Sequence, residues 1–363
     1  MNILLVSTGL GIGGAERQVC ELADQFASLG HKVILVSMTG DIIVTPNSEL
    51  VSIISLGMGK SIFSVIRSYI KMTSIIRAFR PDVVHSHMVH ANLFCRALRI
   101  TTRIPKLICS AHSCNEGTTK WMFAYRISDF LCDISTNVSQ DSVNAYIAKR
   151  AAPTKKIITM YNGIDTDKFH FDHIARRELR CSLEIKEYTP LLLAVGRLTE
   201  AKDFSNLLTA FSFLDTDASL PQLVIIGEGH LKPVLEAQAY ELGIMGRVHF
   251  LGMRHDINKW MSAADVFVLS SAWEGFGLVV AEAMSCERVV VATDCGGVRE
   301  VVGECGFLVT PKDSFLLANQ FNKTSNLSDD EVRTIGILDR TRVVENFSFA
   351  VQARRWLKLY SSN

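Results

Sequence analysis

The chain has 363 residues, 48% hydrophobic and 21% charged, so it is long enough for two domains with sizeable cores and is not a disordered protein. Its 38 basic and 37 acidic side chains give a net charge of +1, which argues against a dedicated nucleic-acid-binding protein. No apolar run reaches the roughly 18 residues that suggest a membrane span, and nine cysteines without a CxxC pair favour a reducing, cytoplasmic location.

Short apolar runs alternate with segments of helical periodicity along the whole chain. In the first half, strands are predicted at 2–7, 32–38, 82–85 and 107–110, and helices at 14–29 and 62–79. After Pro190 the alternation begins again, with strands at 191–195, 222–226, 248–251, 266–269 and 289–292 and helices at 205–213, 230–242, 258–264 and 279–284. This order predicts an α/β fold of two doubly wound domains, each with a parallel sheet covered by helices on both faces.

The link between the two series is predicted near 161–172, where Asn162-Gly163 indicates a turn. We place an N-terminal domain at 1–168 and a C-terminal domain at 169–348. The last segment, 349–363, is amphipathic and has no strand after it. Its pattern fits a helix that packs on either domain, and we expect it to pack on the N-terminal domain.

The near-zero net charge hides an asymmetry between the two halves. Residues 1–180 carry 21 basic and 14 acidic side chains, a net of +7, whereas residues 181–363 carry 17 and 23, a net of −6. The stretch 60–106 holds nine basic residues against Asp82 alone, interleaved with apolar residues at helical spacing. It is either the solvated face of a packed helix or a surface for anionic lipid or a lipid-linked substrate. The residues proposed for that surface are Lys60, Arg67, Lys71 and Arg77.

A glycine-rich loop follows the first predicted strand. Gly9, Gly11 and Gly14 match the GxGxxG pattern of dinucleotide-binding folds. That fingerprint also requires an acidic residue at the end of the second strand, and Asp41 comes too late. The alternative is a loop in which Gly13 and Gly14 let the backbone approach an anion at the N-terminus of the next helix.

Two cations follow the strand at 191–195. Arg197 and Lys202 lie in the predicted loop before the next helix, at the carboxyl end of the sheet where open α/β folds bind ligands. Two cations beside a helix N-terminus are suited to a diphosphate. The structural alternative is a pair of surface ion pairs, Arg197 with Glu200 and Lys202 with Asp203.

Two glutamates lie eight positions apart after the strand at 266–269. Glu274 falls in a loop with Gly275 and Gly277, and Glu282 falls inside the following helix among apolar residues. Carboxylates accept hydrogen bonds from vicinal hydroxyls, so this pair suits sugar or ribose recognition. The alternatives are a helix-capping contact for Glu274 and an exposed position for Glu282.

The chain resembles family 4 of the retaining glycosyltransferases, which have the GT-B fold. The resemblance is carried by GRLTEAKDF at 196–204, GEGH at 227–230 and EGFGLVVAEAMSCERVVVATDCGGVREVV at 274–302, and also by GGAERQV, HSH and SAHS in the first half. It extends from Leu4 to about Val309 and implies two Rossmann-like domains facing across a cleft. One departure is Cys286-Glu287-Arg288, where the family usually has a Gly-x-Pro turn.

The resemblance implies a nucleotide-sugar donor, and we expect a UDP-sugar. By similarity, Arg197 and Lys202 hold the diphosphate and Glu282 binds the ribose hydroxyls. Glu274 and the amides of Phe276, Gly277 and Leu278 hold the donor sugar. In the first domain, Gly13 and Gly14 approach the phosphate and His112 matches the active-site histidine of the family. The catalytic set is then His112, Glu274, Lys202 and Arg197.

The family resemblance also implies chemistry without a metal ion or another cofactor, because cations and helix N-termini stabilise the leaving diphosphate. His85, His87 and His90 form an HxHxxH pattern that fits a zinc site, polar contacts in a substrate cleft or ordinary loop positions. The Asp-Thr-Asp segments at 165–167 and 215–217 resemble the metal-binding pair of the other glycosyltransferase fold. We interpret both as caps or loops.

The basic first domain is expected to bind the acceptor, a lipid-diphosphate-linked glycan of cell-surface polysaccharide or O-antigen synthesis. We expect peripheral attachment at the cytoplasmic face of the inner membrane, with Trp121 reaching the lipid interface. Transfer of a hexose or N-acetylhexosamine with retention is expected to proceed on one face of the sugar. The alternatives are a sugar-nucleotide epimerase or phosphorylase of the same architecture, a nicotinamide-dependent oxidoreductase and a non-catalytic binding module.

Overall fold

The protein is described from a computed structural model that covers residues 1–114, 116–214 and 220–362. The chain forms two compact units. One consists of Met1–Gly163 together with Phe349–Asn363, and the other is Ile164–Ser348.

Every named strand pairs in parallel with its neighbours. The first unit contains β1 (Asn2–Ser7), β2 (Lys32–Ser37), β3 (Val51–Ser55), β4 (Val83–His87), β5 (Leu107–Ser110), β6 (Ile134–Asn137) and β7 (Ile157–Thr159). The second contains β8 (Leu191–Val195), β9 (Gln222–Ile226), β10 (Val248–Phe250), β11 (Val266–Leu269), β12 (Val289–Thr293) and β13 (Phe307–Val309).

Helices follow most strands and cover the sheets. They are α1 (Gly14–Ser28), α2 (Ile62–Phe79), α3 (Val89–Leu98), α4 (Thr119–Ser128), α5 (Gln140–Ala148), α6 (His173–Ser182), α7 (Phe204–Ser212), α8 (Lys232–Glu241), α9 (Ile257–Ala263), α10 (Leu278–Ser285), α11 (Val298–Val302), α12 (Ser314–Ser325), α13 (Asp329–Phe347) and α14 (Phe349–Ser361). In the described part of the chain, no helix is both long and apolar enough to cross a membrane.

Both sheets are doubly wound, as the sequence predicts. The first has the order β3-β2-β1-β4-β5-β6-β7 and the second the order β10-β9-β8-β11-β12-β13. The strand order therefore reverses between β1 and β4 in one unit and between β8 and β11 in the other. Loops at the carboxyl ends of strands beside such a reversal are where open α/β sheets bind ligands.

Helix α14 belongs to the first unit, where it packs against α1. Trp356 and Tyr360 are buried in the same core cluster as Phe26, whose ring centroid lies 5.4 Å from that of Tyr360. Lys106 reinforces this end of the helix because its Nζ donates to the carbonyl of Leu359 at 2.6 Å.

Four strands lie where the sequence predicts none, and β4 extends further than predicted. Strands β3, β6, β7 and β13 have three to five residues and short or mixed apolar patterns, so periodicity alone does not separate them from loops. Strand β4 runs on to His87, which means that His85 and His87 both belong to the sheet.

Candidate active site

A lysine and a glutamate meet at the carboxyl edge of the second sheet, beside the reversal between β8 and β11. Lys202 Nζ forms an ion pair with Glu274 Oε1, and the Ser271 hydroxyl donates to the same oxygen at 2.8 Å. The Lys202 and Glu274 side chains are 20% and 14% exposed, so this pair is only partly screened by solvent. The sequence predicted both residues for the site, and the structure brings them together.

Glycines allow the loops around this pair to pack backbone against backbone. A Cβ on Gly227 would collide with the carbonyl oxygen of Gly196, and one on Gly229 with that of Leu198. Gly296, which has a φ of +55°, lies in the same way against the carbonyl of Glu274. Because only glycine tolerates such proximity, these residues fix the loop positions. The sequence reasoning did not assign roles to Gly227, Gly229 or Gly296, although two of them lie in the GEGH motif.

Arg197 is exposed at the same edge of the sheet. The two predicted surface ion pairs are wrong, because their acidic members contact other groups. Glu200 lies 3.0 Å from His230 Nε2, and Asp203 caps α7 by accepting a hydrogen bond from the Asn206 amide. Lys202 therefore faces Glu274 instead of Asp203.

The glycine at position 277 starts helix α10 in a left-handed conformation, with φ of +88°. The first amides of a helix have no intrahelical acceptor, so this turn is suited to oxygen ligands. The Phe276 side chain is buried and packs edge-on against Phe347 with centroids 5.5 Å apart, which leaves only its backbone for a ligand role.

Glu282 is buried at 8% exposure inside α10, so the alternative of an exposed Glu282 is wrong.

A cluster of histidines lies at the carboxyl ends of β4 and β5 in the first unit. His87 Nδ1 lies 3.1 Å from His112 Nε2. His85 contacts the Tyr360 hydroxyl through Nδ1 and the Ser110 hydroxyl through Nε2, both at 2.6 Å. Both of its ring nitrogens are therefore engaged by the protein. Burial lowers the pKa of all three histidines, that of His112 to about 4, so the rings are neutral at pH 7.

Glu116 is a site residue that the sequence reasoning missed. Its Oε1 accepts a hydrogen bond from the His112 amide at 2.5 Å, and the Tyr125 hydroxyl lies 3.4 Å from Oε2. Burial raises the pKa of Glu116 to about 7. The only sequence signal was a lone acid in a polar loop, four residues after His112.

The glycine-rich loop between β1 and α1 leaves Gly13 and Gly14 exposed. Gly13 precedes α1 in an extended conformation, φ −173°, that any residue adopts. A Cβ there would meet only the flexible Glu16 carboxylate. The fold therefore does not itself require a glycine at position 13.

The predicted basic surface is divided by the structure into exposed and internal groups. Lys60, Arg67, Lys71 and Arg77 are exposed on or next to α2. Arg96, in contrast, is completely buried and donates to the Tyr125 carbonyl at 2.9 Å.

Trp121 is half-buried on α4, where its ring lies edge-on to that of His90 with centroids 4.9 Å apart. The neighbouring apolar side chains that face solvent are Phe123, Ile127 and Phe130. The Asp-Thr-Asp segment at 165–167 forms a turn in which Asp165 accepts from the Lys168 amide, as predicted. The segment at 215–217 lies outside the described residues.

Two family models match the chain. Glycosyltransferase Family 4 matches residues 12–168, and Glycosyl transferases group 1 matches residues 175–335. The putative glycosyltransferase EpsD of Bacillus subtilis is 30% identical over 270 residues, which cover 70% of each chain. UDP-Gal:alpha-D-GlcNAc-diphosphoundecaprenol alpha-1,3-galactosyltransferase of Escherichia coli is 24% identical over 83% of this chain and 80% of its own. The crystal structure of Anabaena Alr3699/HepE in complex with UDP aligns over the whole of both chains with a TM-score of 0.87 and 21% identity.

The fold and these matches define a GT-B glycosyltransferase. The chain belongs to the group 1 glycosyltransferases, with a family 4 domain in its first half. It is a transferase of glycosyl groups, so the oxidoreductase alternative that rested on GxGxxG is wrong.

Proposed function

We propose that this enzyme is a retaining transferase that moves a hexose or an N-acetylhexosamine from a UDP-sugar to a lipid-diphosphate-linked glycan, without a metal ion. The observation that carries the proposal is the ion pair between Lys202 and Glu274 beside the strand reversal. It joins a cation suited to a leaving diphosphate to a carboxylate suited to sugar hydroxyls. The UDP bound in the Anabaena structure and the diphosphoundecaprenol acceptor named for the Escherichia coli relative support these substrate classes.

In the proposed reaction, the bond between the anomeric carbon and the diphosphate oxygen breaks, and its electron pair leaves with the nucleoside diphosphate. Arg197, Lys202 and the first amides of α10 stabilise the developing negative charge. The acceptor oxygen attacks from the face that the diphosphate leaves, and its proton passes to a phosphate oxygen of the leaving group. This route retains the configuration without a carboxylate nucleophile on the protein.

We propose that the first unit binds the acceptor and attaches to the cytoplasmic face of the inner membrane, in cell-surface polysaccharide or O-antigen synthesis. Four apolar side chains of α2 are exposed by 50–81%: Ile62, Phe63, Ile66 and Ile70. At 100° per residue they cover about 100° of the helix surface, with Arg67 about 40° and Lys71 about 80° beyond one edge of this stripe. An apolar stripe flanked by cations supports adsorption to anionic lipid.

The test is a panel of UDP- and GDP-sugars, assayed with and without a lipid extract and with EDTA present. Nucleotide release from one donor that rises with the extract and persists in EDTA supports the proposal, and an α-linked product from an α-linked donor supports retention. Activity that EDTA abolishes contradicts the metal-free mechanism. Conversion of a donor without an acceptor favours the epimerase or phosphorylase alternative.

A further inference from the structure

The histidine pair His87 and His112 leaves two buried nitrogens without a partner. Each ring uses one nitrogen in the 3.1 Å contact between them. The remaining atoms, His87 Nε2 and His112 Nδ1, have no accessible surface and no hydrogen-bond partner within the part of the chain that the structure describes. Buried polar atoms are seldom left unpaired in native proteins, so a free pair at the edge of a sheet calls for an explanation.

The two rings share one cavity. It has a volume of about 20 Å³, and its lining combines polar residues such as Ser110, Thr136 and Asn162 with apolar ones such as Val138, Met160 and Trp356. That volume admits about one water molecule or one hydroxyl group.

Both rings are neutral, so each carries a single ring proton and one bare nitrogen. In their mutual contact, one ring must donate and the other must accept. If His87 donates its Nδ1 proton to His112 Nε2, the ring proton of His112 is on Nδ1. If His112 instead donates its Nε2 proton to His87 Nδ1, then His112 Nδ1 carries no proton and is an acceptor. The contact thus links the protonation of His112 Nδ1 to that of the neighbouring ring.

We propose that His87 is a positioning residue that fixes the ring orientation and the tautomer of His112, so that this predicted active-site imidazole is held in a single protonation form. His87 is itself held in place, because its ring stacks on His85 with centroids 3.9 Å apart. Glu116 fixes the backbone of His112 at the same time. The catalytic role of His112 rests on the proposed function, whereas its tautomer does not.

The experiment combines ¹⁵N NMR of histidine side chains with steady-state kinetics on the full chain. His87→Phe keeps the stacked ring but removes both nitrogens, and His87→Asn restores a polar atom at the position of Nδ1. His249→Phe is the matched control, since His249 is a partly buried histidine that contacts Gln222 Oε1 at 2.9 Å in the other unit. The signals of His112 are assigned by their loss in His112→Gln.

We expect one tautomer of His112 in the wild type and in His249→Phe, and averaged ¹⁵N shifts in His87→Phe. We expect kcat to fall about 30-fold in His87→Phe with donor KM changed less than about threefold, and His87→Asn to recover most of kcat, because a misplaced catalytic group mainly slows the chemical step. Should His87→Phe not fold, His87→Leu removes the same nitrogens.

Unchanged ¹⁵N signals of His112 in His87→Phe overturn the proposal. An unchanged kcat in His87→Phe together with averaged ¹⁵N signals of His112 also overturns it. If the wild type transfers sugar from no donor, the proposed function has failed, and the NMR comparison still decides whether His87 sets the tautomer.

Discussion

At the scale of single residues, the central feature is the partly buried ion pair of Lys202 and Glu274, for which two different tasks are proposed. Lys202 neutralises Glu274 before a donor binds, and the Ser271 hydroxyl holds the carboxylate oxygen in place. Preorganised charges of this kind stabilise a transition state without the cost of reorienting water. Loss of either partner leaves the other charge partly buried and unpaired.

Lys202→Ala is expected to lower kcat about 100-fold, because it removes a cation from the leaving diphosphate. The measurement is initial-rate kinetics with the preferred donor, alongside thermal unfolding. Lys232→Ala is the matched control, since Lys232 pairs with Glu236 on the surface of α8 in the same unit. Equal rates for the two variants would contradict the assignment of Lys202.

A second residue-scale prediction concerns Asp339 in α13. Its side chain is fully buried, neither carboxyl oxygen has a hydrogen-bond partner among the described residues, and burial raises its pKa to about 8. The folded state therefore keeps a proton that the unfolded state loses above about pH 4. Stability contributed by this group is complete below pH 4 and is lost as pH rises to 8.

Asp339→Asn should remove that pH dependence and raise stability at pH 8 by about 1–3 kcal/mol, because no buried carboxyl then has to be kept protonated. Calorimetric melting temperatures between pH 5 and pH 9 test this. Asp330→Asn, on the exposed first turn of the same helix, is the control. A wild-type melting temperature that does not fall relative to Asp339→Asn with rising pH would refute the prediction.

The sequence identified the charged groups of the second unit, because a cation or a carboxylate just after a strand points to the ligand edge of a parallel sheet. The position of Glu116 beside His112 and the contact between His87 and His112 could not be predicted from the sequence. They depend on which side chains strand β4 and the loop after β5 bring together, and spacing along the chain does not encode that distance. The burial of Phe276 against Phe347 was missed for the same reason, as these residues lie far apart in sequence.

At the scale of elements, glycine contacts determine how the site loops lie against each other. Gly296 has a φ of +55°, and the Glu274 carbonyl oxygen occupies the space that a Cβ at position 296 would need. The loops after β11 and β12 are therefore in contact there. The element pattern was predictable wherever apolar runs were long, as in β1 and β8. Short strands such as β7 are stabilised by their neighbours in the sheet, and their own sequence signal is weak.

Gly296→Ala is expected to displace the Glu274 loop and to reduce kcat/KM for the donor about 100-fold, since a shift of about 1 Å in a positioning group has that effect. Gly243→Ala is the matched control, because Gly243 also has a positive φ, +68°, but no atom lies within 4 Å of its added Cβ. Both variants carry the strain of a positive φ, but only Gly296→Ala adds a steric clash, so its melting temperature should fall further. Equal kcat/KM values would show that the glycine contact does not position Glu274.

At the scale of the whole molecule, the two halves of the chain differ in the sign of their net charge. The first half carries a net charge of +7 and the second a net charge of −6. The sequence predicted this division, but it could not separate exposed cations from internal ones, and Arg96 is fully buried. It also gave no measure of exposure for the apolar residues of α2, which the structure places in solvent beside the cations.

The double variant Phe63→Glu, Ile66→Glu is therefore expected to lose most of its binding to vesicles that contain anionic lipid. Removing two exposed apolar anchors forfeits about 1.5–3 kcal/mol each if both are inserted in the bilayer. The two new charges also repel an anionic surface. Co-sedimentation with vesicles at low and high salt measures this, and wild-type binding should weaken as salt screens Arg67 and Lys71.

Ile174→Glu is the control, because Ile174 is an equally exposed residue, at 70%, on α6 of the acidic unit. It should bind vesicles like the wild type. Transfer to a water-soluble acceptor analogue should be unchanged in the α2 variant, since the substitutions lie outside the proposed transfer site. Binding that is insensitive to salt, or that survives in the double variant, would mean that α2 is a solvated face and that the acceptor reaches the first unit without this contact to the membrane.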